Sequence, residues 1–573
     1  MAHETGIKWL DWTDEAFERA KTGNKPILLD ISAVWCHWCH RLDQDTYSVP
    51  EIAEYVESHF IPIRVDTDKR PDINRRYNMG GWPTTVFLTP NGLVMGGGTY
   101  FPPDQMRQIL RDVYSIWEKT KDNPTSLPLP EPESIPIGDI SISIVDEVVG
   151  EIANNFDSIY GGFGSQPKFP STDAHELALL KYHYTGNREI LKIPTLTLHN
   201  VGKSRLFDSE MGGFFRYSTV RDWSIPHFEK MCEDNAKWLS LYVHAYQETG
   251  EHFYATIAKG ILEYVLAWLS DQENGCFYGS QDADEGYYNL TKNERLKRIA
   301  PYVDKQIYTN WNALMISSFF EASTALGDRS TMDFAMKSLD RLMSLNYNGK
   351  DMNHFDNESH PPTQLDDQMQ TVRTLCHAYE VSGDKEFILK AESLTQSAVE
   401  KLYDKEHGGF FDTTVDSNGQ GFLSKPVKPL DENSVASRAL VKLYYLTGKE
   451  NYHKMARETL NRFVEIFPQF GLMAADYALA VDAFLNEPTI MRIIGSLEKE
   501  QTLGLLTEAN RIYDPRKVIQ VYDPNRDAKH IAELGYPSSD QPTAYVCWGR
   551  LCKPPITDPR NIATELAKLN RSG

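Results

Sequence analysis

The chain has 573 residues, about four times an ordinary domain, so two or three folded units are expected. Its 80 Asp and Glu against 59 Lys and Arg leave a net charge of -21, which argues against a general grip on nucleic-acid phosphates or anionic lipid. There is no apolar run of the roughly 18 residues a bilayer span needs, no secretory pattern in the opening MAHETGIKWLDW, and too few cysteines (seven) for a disulfide framework. A cytoplasmic protein with reduced thiols, and with no nucleic-acid or membrane partner, is the expectation.

Residues 26–33 (PILLDISA) and 61–66 (IPIRVD) read as buried strands, and 84–89 with 93–97 read as a hairpin around Asn91-Gly92. Helical spacing covers about 50–60 and 103–119. Strands separated by helices, followed by a hairpin and a helix, describe a small α/β domain over 1–121. The stretch 122–138 carries Pro124, Pro128, Pro130, Pro132 and Pro136, a density that bars helix and predicts an extended spacer.

Beyond it the apolar period becomes 3.6, with about twelve helical segments expected between 142 and 486. A joint recurs in YTGNRE, ETGEHF, ALGDRS, VSGDKE and LTGKEN, placing Gly186, Gly250, Gly327, Gly383 and Gly448 where one helix stops and the next begins. The return loops repeat as well, in FDSIYGGFG, FDSEMGGFF, SDQENGCFYG and YDKEHGGFF. Helical hairpins with short turns at one end and long loops at the other predict a closed toroid of six hairpins over 139–488, with an open solenoid as the alternative. In a closed toroid the long loops would ring one mouth, a natural concave site. From 489 to 573 the pattern is α/β again: IMRIIGS, KVIQVYD and TAYVC read as strands around a helix at 498–511.

The most informative stretch is Trp35-Cys36-His37-Trp38-Cys39-His40, after a strand and opening a helix. Two cysteines at i and i+3 can close a disulfide, and the helix N-terminus favours a thiolate on the first. Cys36 is then the nucleophile and Cys39 the resolver, and a protonated His37 would favour the thiolate further. Two plainer readings compete: a metal held by the Cys and His side chains, or an idle pair. His37 and His40 would point to different helix faces, so no metal is expected, and no cofactor. KPILLDISAVWCHWC resembles the thioredoxin active-site segment. That resemblance implies that Asp30 assists proton transfer to the resolving cysteine, and that Pro83 of GGWPTTVFLTPNG is the cis-proline facing the disulfide, with Trp82 before it. His37-Trp38 stands where thioredoxins have Gly-Pro.

In the helical region, 222–238, 279–288 and 309–315 concentrate acids, amides, His and Trp. Carboxylates beside indoles suit a sugar site, with rings stacking on pyranose faces and acids moving protons. His227, Glu229, Asp234, Asp282, Asp284, Glu285 and Trp311 are the candidates. Asp366, Asp431 and Glu432 sit at equivalent helix starts, where Asp366 and Asp431 read first as caps. His175 and His377 read as core or surface residues, and Cys232, Cys276 and Cys376 as packing thiols. Cys547 and Cys552 fit no ligand spacing.

Taken in order, WCHWCH, GGWPTTVFLTPNG with GGTYFPP, KFP, IPHFEKM with DNA, SQDAD with EG, and NWNALM resemble the spermatogenesis-associated thioredoxin-domain proteins. The resemblance implies a thioredoxin-like domain joined to a six-hairpin, glycosidase-like toroid related to sugar epimerases and glycoside hydrolases. The leading expectation is a thiol-disulfide oxidoreductase or redox-responsive protein with a protein disulfide or redox partner, its toroid binding a sugar or glycosylated ligand. The alternatives are a sugar epimerase or hydrolase with an accessory thioredoxin-like domain, and a non-catalytic scaffold.

Overall fold

The computed structural model describes residues 5–122, 126–128, 136–356, 362–414, 419–537, 540–549 and 551–567. Most of the spacer expected at 122–138, including Pro124, Pro130 and Pro132, lies outside them. No helix of the described residues is long and apolar enough to cross a membrane.

The N-terminal unit runs α1 (Asp14–Gly23), β1 (Ile27–Ser32), α2 (His37–Leu42), α3 (Pro50–His59), β2 (Ile61–Asp66), α4 (Pro71–Tyr77), β3 (Thr84–Leu88), β4 (Val94–Gly98) and α5 (Pro103–Thr120). Its sheet has the order β2-β1-β3-β4. β1 pairs parallel with β2 (Leu29 beside Ile63) and antiparallel with β3 (Leu29 beside Val86). Both faces of β1 are covered, which is why ILLDIS reads as a continuous apolar run rather than an alternating one. The β3–β4 connection departs from the expected two-residue turn. Thr89 N–H bonds the Leu93 carbonyl, so Pro90, Asn91 and Gly92 form the loop, with Gly92 left-handed at φ +77.

The helical region is a ring. Its elements are α6 (Ile142–Asn155), α7 (Thr172–Thr185), α8 (Arg188–Lys203), α9 (Cys232–Thr249), α10 (His252–Trp268), the short α11 (Glu285–Tyr288) and α12 (Lys292–Arg295), then α13 (Thr309–Leu326), α14 (Arg329–Asn346), α15 (Leu365–Ser382), α16 (Glu386–Leu402), α17 (Leu430–Thr447), α18 (Glu450–Asn461) and α19 (Ala475–Leu485). α7, α9, α13, α15, α17 and α19 each pack on the next, and α19 packs back on α7, so the inner ring closes. α8, α10, α14, α16, α18 and α6 lie outside it. This is the closed toroid, not the open solenoid. The joint glycines Gly186, Gly250, Gly327, Gly383 and Gly448 are the left-handed C-caps of five inner helices.

The return loops are built alike. In each, an aromatic or its equivalent forms a small β-bridge, as in Phe207 with Phe214 and Tyr403 with Phe410. The fourth residue of the following inner helix then clamps the loop. Asn235, Asn312 and Asn433 accept from the backbone N–H of Phe214, Phe277 and Phe410 and donate to the same residues' carbonyls. Gln368 does the same for Met352. On α7 that position is His175, stacked on Phe163, with both ring nitrogens buried and unpartnered rather than satisfied as a core histidine usually is. The loops also carry two-residue strands: β5 (Tyr217–Ser218), β6 (Pro226–His227), β7 (Lys230–Met231), β8 (Ser280–Gln281) and β9 (Val303–Asp304).

The C-terminal unit comprises β10 (Thr489–Ile494), α20 (Glu500–Arg511), β11 (Val518–Tyr522), α21 (Pro524–Glu533), β12 (Thr543–Trp548), β13 (Leu551–Cys552) and α22 (Ile562–Ala567). Its sheet order, β11-β10-β12-β13, and its strand directions repeat those of the N-terminal sheet. The small α/β segment is thus a second unit of thioredoxin-like topology, and Cys547 and Cys552, opposite one another on β12 and β13, are joined as a disulfide.

The two units cover opposite mouths of the toroid. On the long-loop side, Arg76 of α4 makes a two-pronged ion pair with Asp412 (2.7 and 3.0 Å), and Tyr77 stacks on Phe422. His354 Nε2 lies 2.7 Å from the Asp68 carbonyl. On the short-turn side, Arg516 pairs with Asp482 of α19 (2.7 and 2.6 Å), and Asn510 donates to the Glu380 carbonyl.

Candidate functional site

Cys36 is the N-cap of α2, and its Sγ accepts a hydrogen bond from the Cys39 N–H at 3.1 Å. Cys36 and Cys39 form a disulfide. A reduced Cys36 at this position would have its thiolate favoured by the helix N-terminus. Asp30 lies beneath on β1, and burial, opposed by Arg64, pushes its carboxyl up to about 6. Its Oδ2 takes a 2.7 Å bond from Arg64 while Oδ1 is buried without a partner. Trp82-Pro83 is a cis peptide, as the motif implied.

The pair is covered. Cys36 is 2% and Cys39 3% exposed, packed in one cluster with Trp35, Met231 of the toroid, Trp82 and Trp311. Trp35 is locked from three sides: its indole N–H donates to Asp68 at 2.7 Å, its ring meets Trp82 edge-on, and the Arg216 guanidinium lies 4.4 Å from its centroid. Trp38, by contrast, is about half exposed.

The structure divides the toroid candidates. His227, Glu229 and Asp282 face the redox helix rather than the ring interior. Asp282 Oδ2 lies 3.6 Å from His40 Nδ1, and burial pushes this carboxyl up to about 7. Glu229 bonds Arg216 and lies 3.2 Å from His227 Nδ1, while the His227 ring is 6.4 Å from that of His37. Asp284 caps α11 by accepting from Tyr287 N–H, and Glu285 is exposed, so neither lines the interior. Asp234 and Trp311 do line it.

The ring encloses a chamber of about 730 Å³, with walls from all three units. Four inner helices present the same positions to it, the second, sixth, ninth, thirteenth and sixteenth. The first level is Glu233, Asn310, Asp366 and Asp431. Below it come Lys237, Leu314, Gln370 and Val435, then Ser240, Ser317, Arg373 and Arg438. Deeper still are His244, Glu321, His377 and Lys442, and finally Gln247, Thr324, Glu380 and Tyr445. At 1.5 Å per residue the levels span about 21 Å. Trp35, Trp82 and Arg75 of the N-terminal unit form the wall at the first level, and Asn510 and Lys517 close the far end. Some lining residues reach solvent, among them Asp431, its side chain 74% exposed, and Met473 at 73%.

Charge is graded along this axis. Near the redox end, burial with Glu233 alongside pushes Asp234 up to about 7, and burial pushes Asp366 up to about 6 against its bond from Asn310. Deeper, His244 sits between Glu176 (2.9 Å) and Glu321 (3.6 Å). Burial alone would lower its pKa, but the two carboxylates raise it to about 10, making it an imidazolium. Asp366 and Asp431 are not the caps expected of them, because the N-cap positions belong to Gln364 and Pro429 and the acids are turned into the chamber. His377 likewise faces the chamber. Glu176, His244, Glu321, Arg373 and Lys442 were not singled out from sequence. The available signal was a polar stripe at 3- and 4-residue spacing in otherwise apolar helices.

Residues 1–126 match the family described as "Thioredox_DsbH: Protein of unknown function, DUF255". Spermatogenesis-associated protein 20 of Homo sapiens is 26% identical over 720 aligned positions, covering 98% of this chain and 89% of that protein. The chain is its homologue over nearly the full length. This bears out the resemblance read from the motifs. A thioredoxin of Alicyclobacillus acidocaldarius subsp. acidocaldarius is 28% identical over 104 residues, 18% of this chain and 93% of that protein. Among solved structures, a sugar epimerase from a ruminal bacterium aligns at TM-score 0.46 and 15% identity, covering 56% of this chain and 86% of that one.

Proposed function

We propose that the chain is a redox-responsive, carbohydrate-binding protein of the cytoplasm in which the Cys36–Cys39 couple shapes one end of the chamber. Trp35 carries this reading: it packs against both cysteines and lines the chamber at the same time. Opening the disulfide frees α2 at its first turn and shifts the indole one residue before it. Hydroxyl, amide and carboxylate groups on the walls with three indoles at one end suit a polyhydroxylated ring. Direct action on a folded protein disulfide is the second reading, favoured by the thioredoxin-like arrangement of Cys36, Asp30 and Pro83. It requires the N-terminal unit to lift off, because both sulfurs are covered.

The test equilibrates the protein in graded dithiol buffers, follows Cys36 and Cys39 by alkylation and peptide mass with Cys36→Ser as control, and measures melting with mono- and disaccharides in both redox states. A reversible two-electron transition is expected, together with sugar-dependent stabilisation that differs between the states. A pair that never closes at any poise sinks the redox half. Equal affinity in both states sinks the coupling, and no stabilisation by any sugar sinks the carbohydrate half.

A further inference from the structure

Arg373 and His377 lie one turn apart on α15 and both line the chamber, so they share one face of the helix. Among the described residues, Arg373 makes a single hydrogen bond, from Nη1 to Gln370 of its own helix at 3.2 Å, and has no carboxylate within ion-pair distance. Among the described residues His377 has a ring contact with Phe320 and makes no hydrogen bond, while Glu321, Glu380, Lys442 and Lys517 act on it through space. The other cations of the deeper levels are held. Lys237 pairs with Glu233, Arg438 with Asp476, Lys442 with Glu380 and Arg516 with Asp482. Lys517 donates to the carbonyls of Ala509, Asn510 and Ile512.

An unpaired acid in such a place can take up a proton, as Asp234, pushed up to about 7, does near neutrality. A guanidinium has no such escape. Burial, with Arg438 alongside, pushes Arg373 down only to about 10, so it stays charged. Arg373 is therefore a fixed positive charge with no ion-pair partner among the described residues, flanked by an imidazole. Ser240 and Ser317 stand at its level on the neighbouring helices α9 and α13.

We propose that Arg373 and His377 are the binding point for the oxyanion of an anionic sugar, a carboxylate or a phosphate, whose ring extends toward the indoles at the redox end. A planar guanidinium matches either group with two parallel N–H donors. This rests on the carbohydrate reading above and narrows it from sugars in general to those carrying an anion.

The experiment uses the full chain at low ionic strength with four probes: glucose, glucuronate, glucose 6-phosphate and inorganic phosphate. At least one of the anionic sugars should bind tenfold or more tightly than glucose, and which of them does separates the carboxylate from the phosphate. Arg373→Gln should abolish that advantage, so that the anionic sugar binds the variant no more tightly than glucose does. The unliganded Arg373→Gln protein should melt no lower than the parent, because an unpaired buried charge has been removed, whereas loss of a merely structural arginine would lower it. Glucose binding as tightly as both anionic sugars to the parent protein overturns the anion point and leaves the carbohydrate reading standing. That comparison needs no variant. Inorganic phosphate bound through Arg373 while no sugar binds supports the anion point and overturns the carbohydrate reading; binding of none of the four overturns both.

Discussion

The burial of the dithiol makes its chemistry depend on domain separation, and one ion pair sets the scale. Arg76 bonds both oxygens of Asp412 across the interface and also donates to the carbonyls of Phe422 and Lys425. Both side chains are nearly inaccessible, at 4% and 2%. Arg76→Met keeps the stem and removes the charge, stranding Asp412. Breaking a buried pair from one side costs about 3–5 kcal/mol. Arg75, 3.9 Å from the same carboxylate, compensates in part, so the lower end applies. About 3 kcal/mol corresponds to roughly a hundredfold rise in the population of the separated state. If a bulky reductant reaches Cys36–Cys39 only when the units part, its reduction rate follows that population. The assay is reduction of the disulfide by a reduced thioredoxin, read by alkylation and mass, with circular dichroism to confirm folding. Arg76→Met should be reduced about a hundredfold faster than the parent. A folded variant reduced at the parental rate would refute the idea that the interface guards the disulfide.

Three further outcomes follow from the same structure. Asp234 has a folded pKa near 7 against about 3.9 unfolded, so the parent's stability is complete below pH 4 and falls as pH rises through 7. Asp234→Asn should therefore match the parent at pH 4 and exceed it at pH 8, by at most about 4 kcal/mol, and parallel melting profiles would contradict this. Asn312→Leu strands the N–H and carbonyl of Phe277 and should cost about 2–5 kcal/mol in thermal or urea unfolding, with no change in the Cys36–Cys39 potential. At Gly421 an added Cβ would come 2.1 Å from the Gly92 carbonyl and 2.5 Å from the Tyr77 hydroxyl, both across the interface. Gly421→Ala should accordingly accelerate disulfide reduction as Arg76→Met does while leaving toroid helicity intact.

Local order was legible where a residue type answers a local need. The αL glycines at 186, 250, 327, 383 and 448 announced the hairpins, and ILLDIS and IPIRVD announced the central strands, because backbone conformation and burial are written into those residues themselves. Sites made between units were read less well. His227, Glu229 and Asp282 carry the composition of a sugar site, yet docking of the N-terminal unit brings them to α2, and nothing in the return loops reports which surface lies opposite. Asp284 was misread for a simpler reason: a carboxylate that caps a four-residue helix looks in sequence like one aimed at a ligand. The chamber itself left a readable trace. Glu233, Lys237, Ser240, His244 and Gln247 form a polar stripe along a helix whose other faces are buried, as would be expected only if that helix borders a second polar space.

The two end units share a topology but not a chemistry, and this gives the chamber a direction. The helix after β10 opens with Glu500, where its N-terminal counterpart opens after Cys36, so only one end of the chamber adjoins a dithiol at a helix start. If Trp35 transmits the state of that dithiol to a ligand, thermodynamic reciprocity requires the ligand to act back on the dithiol: whatever factor reduction applies to the affinity, saturating ligand must apply to the redox equilibrium. For a two-electron couple a tenfold affinity difference moves the midpoint by about 30 mV. The direction follows from which state binds better, tighter binding to the disulfide form making the couple harder to reduce. Redox titrations of Cys36–Cys39 with and without a bound sugar therefore measure the coupling independently of the affinities themselves. A tenfold affinity difference with an unmoved midpoint would mean that the two states differ somewhere other than at this disulfide, and that Trp35 is a wall and not a messenger.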